Sequence, residues 1–353
     1  MAQAWLRVAG GLATFGLIAV VGMATVAGLE FDAALDSFAL VMMLAIPAGV
    51  LAYAAVEYGQ TRRLDSITRQ FDTRTLVLMP VAMAINIVLG TAVASALKIP
   101  IYLDSIGTIL VAALAGPLAG AATGFLSNVV WTYLAPPPFQ SPFAVPFAVV
   151  AVVIGLLAGT FARWGWLRPR RGASGRQLAL GAAASTGAIA IMALLALRAW
   201  SAAADGSLAP ATDEAAFLIL GWIAVLLVAG TAVGLVLLLV RWRDLAAAYI
   251  LAAGAVTGVV AAFIAAPVAA SLFGGVTGSG ADFVIAAFRQ AGADLQQAVL
   301  GQSLISDPVD KVIAYFVVYL ILGAMATRTK ARFPQGEYLL PLAGDHDDDE
   351  PGG

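Results

Sequence analysis

The stretch DSIGTILVAALAGPLAGAATGFLSNVVWTYLA, residues 104–135, decides how this chain threads a membrane. It is one apolar run, divided only by Gly116-Pro117. Read as a single kinked helix, it crosses once. Read as two helices, 104–117 and 118–135, it crosses twice and exchanges the sides of everything that follows. Proline lacks the N–H that an interior helical turn needs, and glycine suits a helix end. We therefore expect a hairpin turning at Gly116-Pro117.

The rest of the chain tests that choice. A spanning helix needs about 20 apolar residues, and ten segments qualify, at roughly 6–28, 38–57, 75–96, 104–117, 118–135, 143–162, 178–199, 215–240, 245–272 and 309–328. With the hairpin, and with both termini inside, one side collects Arg7, Arg62, Arg63, Arg69, Arg74, Arg163, Arg168, Arg170, Arg171, Arg176, Arg241, Arg243, Arg328, Lys330 and Arg332. Of the 19 Lys and Arg residues, only Lys98, Arg198, Arg289 and Lys311 fall outside. Cytoplasmic flanks are enriched in these two residues. A single helix over 104–135 sends the Arg163–Arg176 and Arg328–Arg332 clusters outward, so charge supports the hairpin independently of the proline.

Composition agrees. The 353 residues are 61% apolar and 11% charged, against about 25% charged in soluble domains. So little charge does not coat a water-soluble body, and the expected class is an all-α integral membrane protein. A net charge of −2 leaves no basic surface for nucleic acid. The absence of cysteine excludes disulfides, thiolate nucleophiles and Cys-ligated metals. The single histidine, His346, lies among Asp345, Asp347, Asp348, Asp349 and Glu350, in a tail from Gln335 onward that reads as solvated and disordered. With no activated nucleophile or metal cluster in the body, we expect neither an enzyme nor a bound cofactor. The first apolar stretch is too long for a signal-peptide core and reads as a retained helix.

Glycines four apart recur at Gly116/Gly120/Gly124, Gly155/Gly159, Gly230/Gly234 and Gly254/Gly258. Such pairs let membrane helices approach closely.

Two outward segments carry most of the polar chemistry. In Lys98-Ile99-Pro100-Ile101-Tyr102-Leu103-Asp104-Ser105-Ile106-Gly107, Asp104 or Ser105 suits an N-cap. The same Tyr102 and Asp104 also suit a shallow pocket with an apolar floor. The second segment, 274–307, opens Gly274-Gly275-Val276-Thr277-Gly278-Ser279-Gly280. Ser279 and Asp282 have capping-box spacing, and a helix of about three turns follows, carrying Arg289 and Gln290. Gln302 comes next, and Asp307-Pro308-Val309-Asp310-Lys311 reads as the start of the last span, with Asp307 as N-cap and Pro308 at the first position. A loop this long with this much apolar content reads as a lid or re-entrant element over the outward pocket. Within the spans, Asn86, Asn128, Trp131, Thr132, Tyr315 and Tyr319 should face protein or a cavity, because polar groups in hydrocarbon are costly. Asn128 and Trp131 share a helix face, converging with Tyr102 and Asp104. Asn128 equally suits an interhelical hydrogen bond. No span shows a run of ionisable residues suited to a proton relay, and no loop matches a P-loop.

The segment Ile99-Pro100-Ile101-Tyr102-Leu103-Asp104-Ser105-Ile106-Gly107, the Gly116-Pro117-Leu118-Ala119-Gly120-Ala121 turn and the helix reaching Ser127-Asn128 resemble the substrate-binding S components of energy-coupling factor (ECF) transporters. The resemblance covers about 75–165, and phrases at 273–280 and 306–311 are similar to longer members annotated with that family. It implies a multi-pass bacterial inner-membrane protein that captures a small solute, such as a vitamin or its precursor, from outside. It also implies a separate membrane coupling subunit and two cytoplasmic ATPases as partners, and it carries candidate contacts onto Tyr102, Asp104 and Asn128. Two features depart from the family: the chain has more spans than is usual, and its Ala92/Ala96 pair lies at the outer end of the third span rather than near the cytoplasm.

The expected organisation is a two-helix extension (1–74), an S-component-like core (75–165) with its outward loop at 98–107, additional spans (166–244), C-terminal spans (245–334) with an outward lid at 274–307, and the acidic tail (335–353). The expected pocket residues are Tyr102, Asp104, Asn128 and Trp131, with Asp282, Arg289, Gln302 and Asp310 in or behind the lid. A self-sufficient secondary transporter and a membrane sensory module are the alternatives.

Overall fold

The computed structural model describes residues 2–27, 31–96, 101–171, 174–183, 230–231 and 233–341. Among them the protein is all-helical, with no strand. The elements are α1 (Ala2–Ala27), α2 (Phe31–Thr61), the short α3 (Asp65–Thr68), α4 (Thr73–Gly90), α5 (Ile106–Ala115), α6 (Pro117–Tyr133), α7 (Ala148–Arg163), α8 (Ala246–Phe273), α9 (Ala281–Gln290), α10 (Leu295–Ala324) and the short α11 (Thr327–Lys330). Residues 175–183 and 233–240 are also helical, apart from the α-labelled set. Among the described residues, three helices, Thr73–Val93, Val145–Arg163 and Ala246–Phe273, are long and apolar enough to cross a membrane. The seventh and eighth expected spans lie largely outside the described residues, as do Lys98, Arg198 and the acidic residues of the tail.

The chain does turn at Gly116-Pro117. α5 stops at Ala115, Gly116 adopts φ +130°, and Pro117 takes the first turn of α6. The side-chain oxygen of Gln70 accepts from the Leu118 N–H at 2.8 Å, serving a helix start that has no cap of its own. α6 then folds back along α5, with Gly120 against Ala112. The other glycine pairs also seat helices on one another. Gly124 faces the Ala151 carbonyl, Gly155 the backbone of Gly120 and Ala121, Gly159 that of Pro117, Gly254 that of Val312 and Gly258 that of Pro308. Gly230 is the exception, with nothing close to it among the described residues.

α5 is the centre of the bundle: all ten of its residues are buried. It is enclosed by α4, α6, α7 and α10. Asn86 of α4 ties three helices together here. Its amide donates to Thr108 Oγ1 (2.9 Å) and Ser127 Oγ (3.0 Å), and its carbonyl accepts from the Gly107 N–H (2.7 Å). Gly107 is required at that crossing, because a Cβ there would run into the Ala82 carbonyl. Tyr315 of α10 likewise reaches Thr257 of α8 at 3.0 Å.

The arginine-rich turns share one end of this bundle. Arg74 donates to the Arg332 carbonyl, Arg163 to the Gln335 side chain, and the Arg170 N–H to Asp244. Arg7 pairs with Glu57 at 2.9 Å near the end of α2. Only 335–341 of the expected tail lies within the described residues, and there the chain packs against the bundle. Gln335 is buried, its N–H donates to the Leu114 carbonyl and its side chain to the Gly159 carbonyl, and Leu339 is packed in the core. The physical reason is tertiary: the Leu114 carbonyl, in the last turn of α5, lacks an intrahelical partner and accepts from the Gln335 N–H, while the side chain adds a bond to α7.

A correction concerns the last span. Asp307 is not an N-cap. α10 begins at Leu295 with Asp294 and Gln297 forming a reciprocal capping box, and it continues through Pro308 to Ala324. The ring of Pro308 is accommodated mid-helix beside Gly258 of α8, whose missing Cβ leaves room.

Candidate functional site

α5 and α6 leave the same turn but differ in length, ten residues against 17. At 1.5 Å per residue, α5 stops roughly 10 Å short of the far end of α6. This shortfall, at the end away from the arginines, is occupied by a cavity of about 110 Å³. On the same measure one water needs roughly 10–15 Å³, so the space suits a small organic molecule. Its walls come from the loop before α5, α6, the start of α7 and the segment before it, α8, the 277–279 loop, the start of α9, and α10.

Tyr102, Asp104, Asn128, Trp131 and Gln302 all line it. Asn128 and Trp131 reach it from adjacent turns of α6. Asn128 donates to the Gly124 carbonyl of its own helix at 3.0 Å, not to a neighbouring helix. The Trp131 N–H donates to the Phe139 carbonyl at 2.7 Å and to Thr91 Oγ1 at 3.1 Å. Thr91 opens one turn of π-helix, Thr91–Ala96, that continues α4. Gly90, just before it, lets the Trp131 ring and Asp104 lie against α4. Tyr102 bonds Ser279 at 3.0 Å, and Ser279 bonds Thr277 at 2.9 Å. Burial pushes the Tyr102 hydroxyl up to about 12, so it serves as a neutral hydrogen-bonding group.

Three expected site residues do not line the cavity. Asp282 reaches back to accept from the N–H groups of Thr277 (2.9 Å) and Gly278 (2.8 Å), which shapes the glycine loop. The Ser279/Asp282 capping box is therefore not formed. α9 starts after Gly280, whose N-cap position has no side chain to offer, and Asp282 is engaged with the loop. Arg289 is turned away, donating to the exposed Ala293 carbonyl at 3.2 Å. Asp310 lies behind the cavity wall, where it accepts from the Leu103 N–H at 2.6 Å and pairs with Lys311.

The structure also brings together residues that the sequence separates. Lys311 lines the cavity and lies 3.6 Å from Asp104, while pairing with Asp310 on its other side. Asp307, one turn earlier, lines the same wall and makes no hydrogen bond to any described residue. Ser105 is buried with its hydroxyl unpartnered, so neither Ser105 nor Asp104 caps α5 through its side chain. Leu103 takes a left-handed φ of 51°. For a branched apolar residue that is strain, which persists when surroundings hold it. Phe143 and Phe147, around the start of α7, complete an apolar wall.

No family model, curated protein or solved structure matches the chain.

Asp307 and Lys311 are four residues apart in one helix, a spacing that places them on one face. Taking Pro308 as a helix start hid that signal. The approach of Asp104 to Lys311 had no local signal at all. The Phe143/Phe147 pair was legible as two aromatics one turn apart, but not as cavity wall.

Proposed function

We propose that this protein is a membrane-embedded solute-binding subunit of an ECF-type importer for a small molecule such as a vitamin or precursor. In this reading ten helices span a bacterial inner membrane, with both termini in the cytoplasm. The 274–307 segment acts as a lid over the outward cavity, and a membrane coupling subunit with cytoplasmic ATPases powers release inward. The observation that carries the reading is the cavity itself. It lies at the end of the bundle opposite the arginine-rich turns, and it gathers Tyr102, Asp104 and Asn128, which the resemblance had singled out, together with Trp131 from the same face as Asn128. Mostly apolar walls with a few convergent polar groups are the usual make-up of a small-molecule site. Mass spectrometry of small molecules co-purifying with the protein tests it. A molecule retained by the wild type and lost from Asp104→Ala is the expected result. Retention of nothing by the wild type, or of the same molecule by both proteins, sinks the assignment.

A second reading is favoured by one specific feature, the cluster of Asp104, Asp307, Asp310 and Lys311. Ionisable groups inside a helical membrane bundle commonly mark ion or proton pathways. A self-sufficient, ion-coupled transporter predicts gradient-dependent solute uptake by liposomes holding this protein alone, whereas the ECF-type reading predicts none.

A further inference from the structure

We propose that the cavity takes a small amine-bearing molecule with a flat apolar body. Its ammonium is held by Asp307 and Asp104, and its ring lies against Trp131 and Phe147. This deepens the solute-binding reading and rests on it.

The charge inventory points this way. Three carboxylates, Asp104, Asp307 and Asp310, face a single ammonium, that of Lys311. Lys311 is already committed, paired with Asp310 and 3.6 Å from Asp104. Asp310 is also fully engaged, since its other oxygen accepts from Leu103. Asp307 is left over. It is 8% exposed, lines the cavity and has no hydrogen-bond donor among the described residues. Its carboxylate shares the field of the Lys311 ammonium with Asp104 and Asp310, and a cationic occupant supplies the countercharge that one ammonium does not. An anionic occupant instead meets two carboxylates and a lysine that is already neutralised.

Two independent features complete the site. Ser105, 2% exposed, belongs to the cavity lining, and its hydroxyl has no partner among the described residues, which leaves an unused hydrogen-bonding group at the wall. The lining also carries aromatic rings, Trp131 beside Asp104 and Phe147 near the start of α7. Tryptophan faces attract cations, more strongly where water is excluded.

Phenethylamine, 2-phenylethanol and phenylacetate share one body and differ in charge, so they serve as probes. Each is titrated into the purified full-length protein near neutral pH, and affinity is read by calorimetry. Phenethylamine should bind at least about tenfold more tightly than the other two, the scale of one hydrogen bond to a charged group. Asp307→Asn, which keeps the shape, should remove most of that preference, and Asp104→Asn part of it. The melting temperature of each unliganded variant checks folding, and Asp307→Asn should not melt below wild type, since the Asp307 side chain makes no hydrogen bond to any described residue. Equal or tighter binding of phenylacetate or phenylethanol overturns the proposal. So does an undiminished preference in Asp307→Asn, or no binding of phenethylamine at millimolar concentration. These outcomes leave the solute-binding reading standing, because that is judged by the co-purified molecule and its loss from Asp104→Ala. A co-purified molecule that is neutral or anionic overturns the charge assignment alone.

Discussion

The carboxylate of Asp310 accepts a 2.6 Å hydrogen bond from the backbone N–H of Leu103, 207 positions earlier in the chain. Leu103 sits in the left-handed region at φ 51° and is wholly buried. The bond thus ties α10 to the strained loop that presents Tyr102 and Asp104. The second oxygen of Asp310 pairs with Lys311. Replacing Asp310 by Ala strands a buried N–H and loosens a buried ammonium together. Breaking one side of a buried pair costs roughly 3–5 kcal/mol. Unfolding of the detergent-solubilised variant should show a loss on that scale. A loss of a few tenths would mean that the loop is held elsewhere.

Asn86 is the corresponding node deeper in the bundle, joining Gly107, Thr108 and Ser127. Asn86→Leu keeps the volume but leaves the Gly107 N–H without its acceptor. One such stranded group costs about 1–3 kcal/mol, and this should appear directly as lost stability. Thr108→Val, which removes only one of the three bonds, should cost less.

Glycine contacts give a size test. A Cβ on Gly155 would lie 2.7 Å from the Ala121 Cα, and closer still to other backbone atoms that cannot move aside like a side-chain tip. Overpacking of this kind costs about 1–3 kcal/mol, so Gly155→Ala should lower the melting temperature. Gly323, near the end of α10, has nothing among the described residues within 4 Å of where its Cβ would be. Gly323→Ala should be neutral or slightly stabilising, because alanine is the better helix former by roughly 1 kcal/mol.

The pH dependence of Tyr102→Phe has a definite sign. Tyr102 is neutral below its ordinary pKa of 10.0, and in the folded protein burial holds it neutral up to about 12. Below pH 10.0 the variant should therefore lose a constant amount, about 1 kcal/mol, for the bond to Ser279. Above that, the unfolded wild type ionises first, which draws the wild type towards unfolding. The gap between the two proteins should then shrink as pH rises from 10.0 towards 12. A gap that widens in that window would contradict the buried placement of the hydroxyl.

Sidedness is accessible because the chain has no cysteine. Ala291→Cys, at the exposed end of α9, and Arg241→Cys, at the arginine-rich end, provide single reporters on exposed positions. In intact cells an impermeant thiol reagent should label the first and spare the second. The reverse pattern would invert the topology and remove the cavity from the external face.

The helical class, the turn at Gly116-Pro117 and most of the close glycine contacts follow from the amino-acid order, because each depends on neighbours within a turn or two: a missing N–H, an absent Cβ, an apolar run long enough for a bilayer. The gathering of arginine-rich turns at one end of the bundle was also visible, since it needs only the alternation of segments. Four candidate wall residues, Tyr102, Asp104, Asn128 and Trp131, were legible because they flank that turn at similar helical distances. The joining of Asp104 to Lys311 and of Leu103 to Asp310 was decided only in three dimensions. Those contacts cross about 200 residues of chain, and no local propensity encodes them. The run of α10 through Pro308 was decided the same way: a proline favours a helix start in isolation, but here the neighbouring helix supplies a glycine for its ring to pack on. The burial of Gln335 likewise depended on carbonyls from two other helices, which a polar, proline-flanked sequence gives no means of foreseeing.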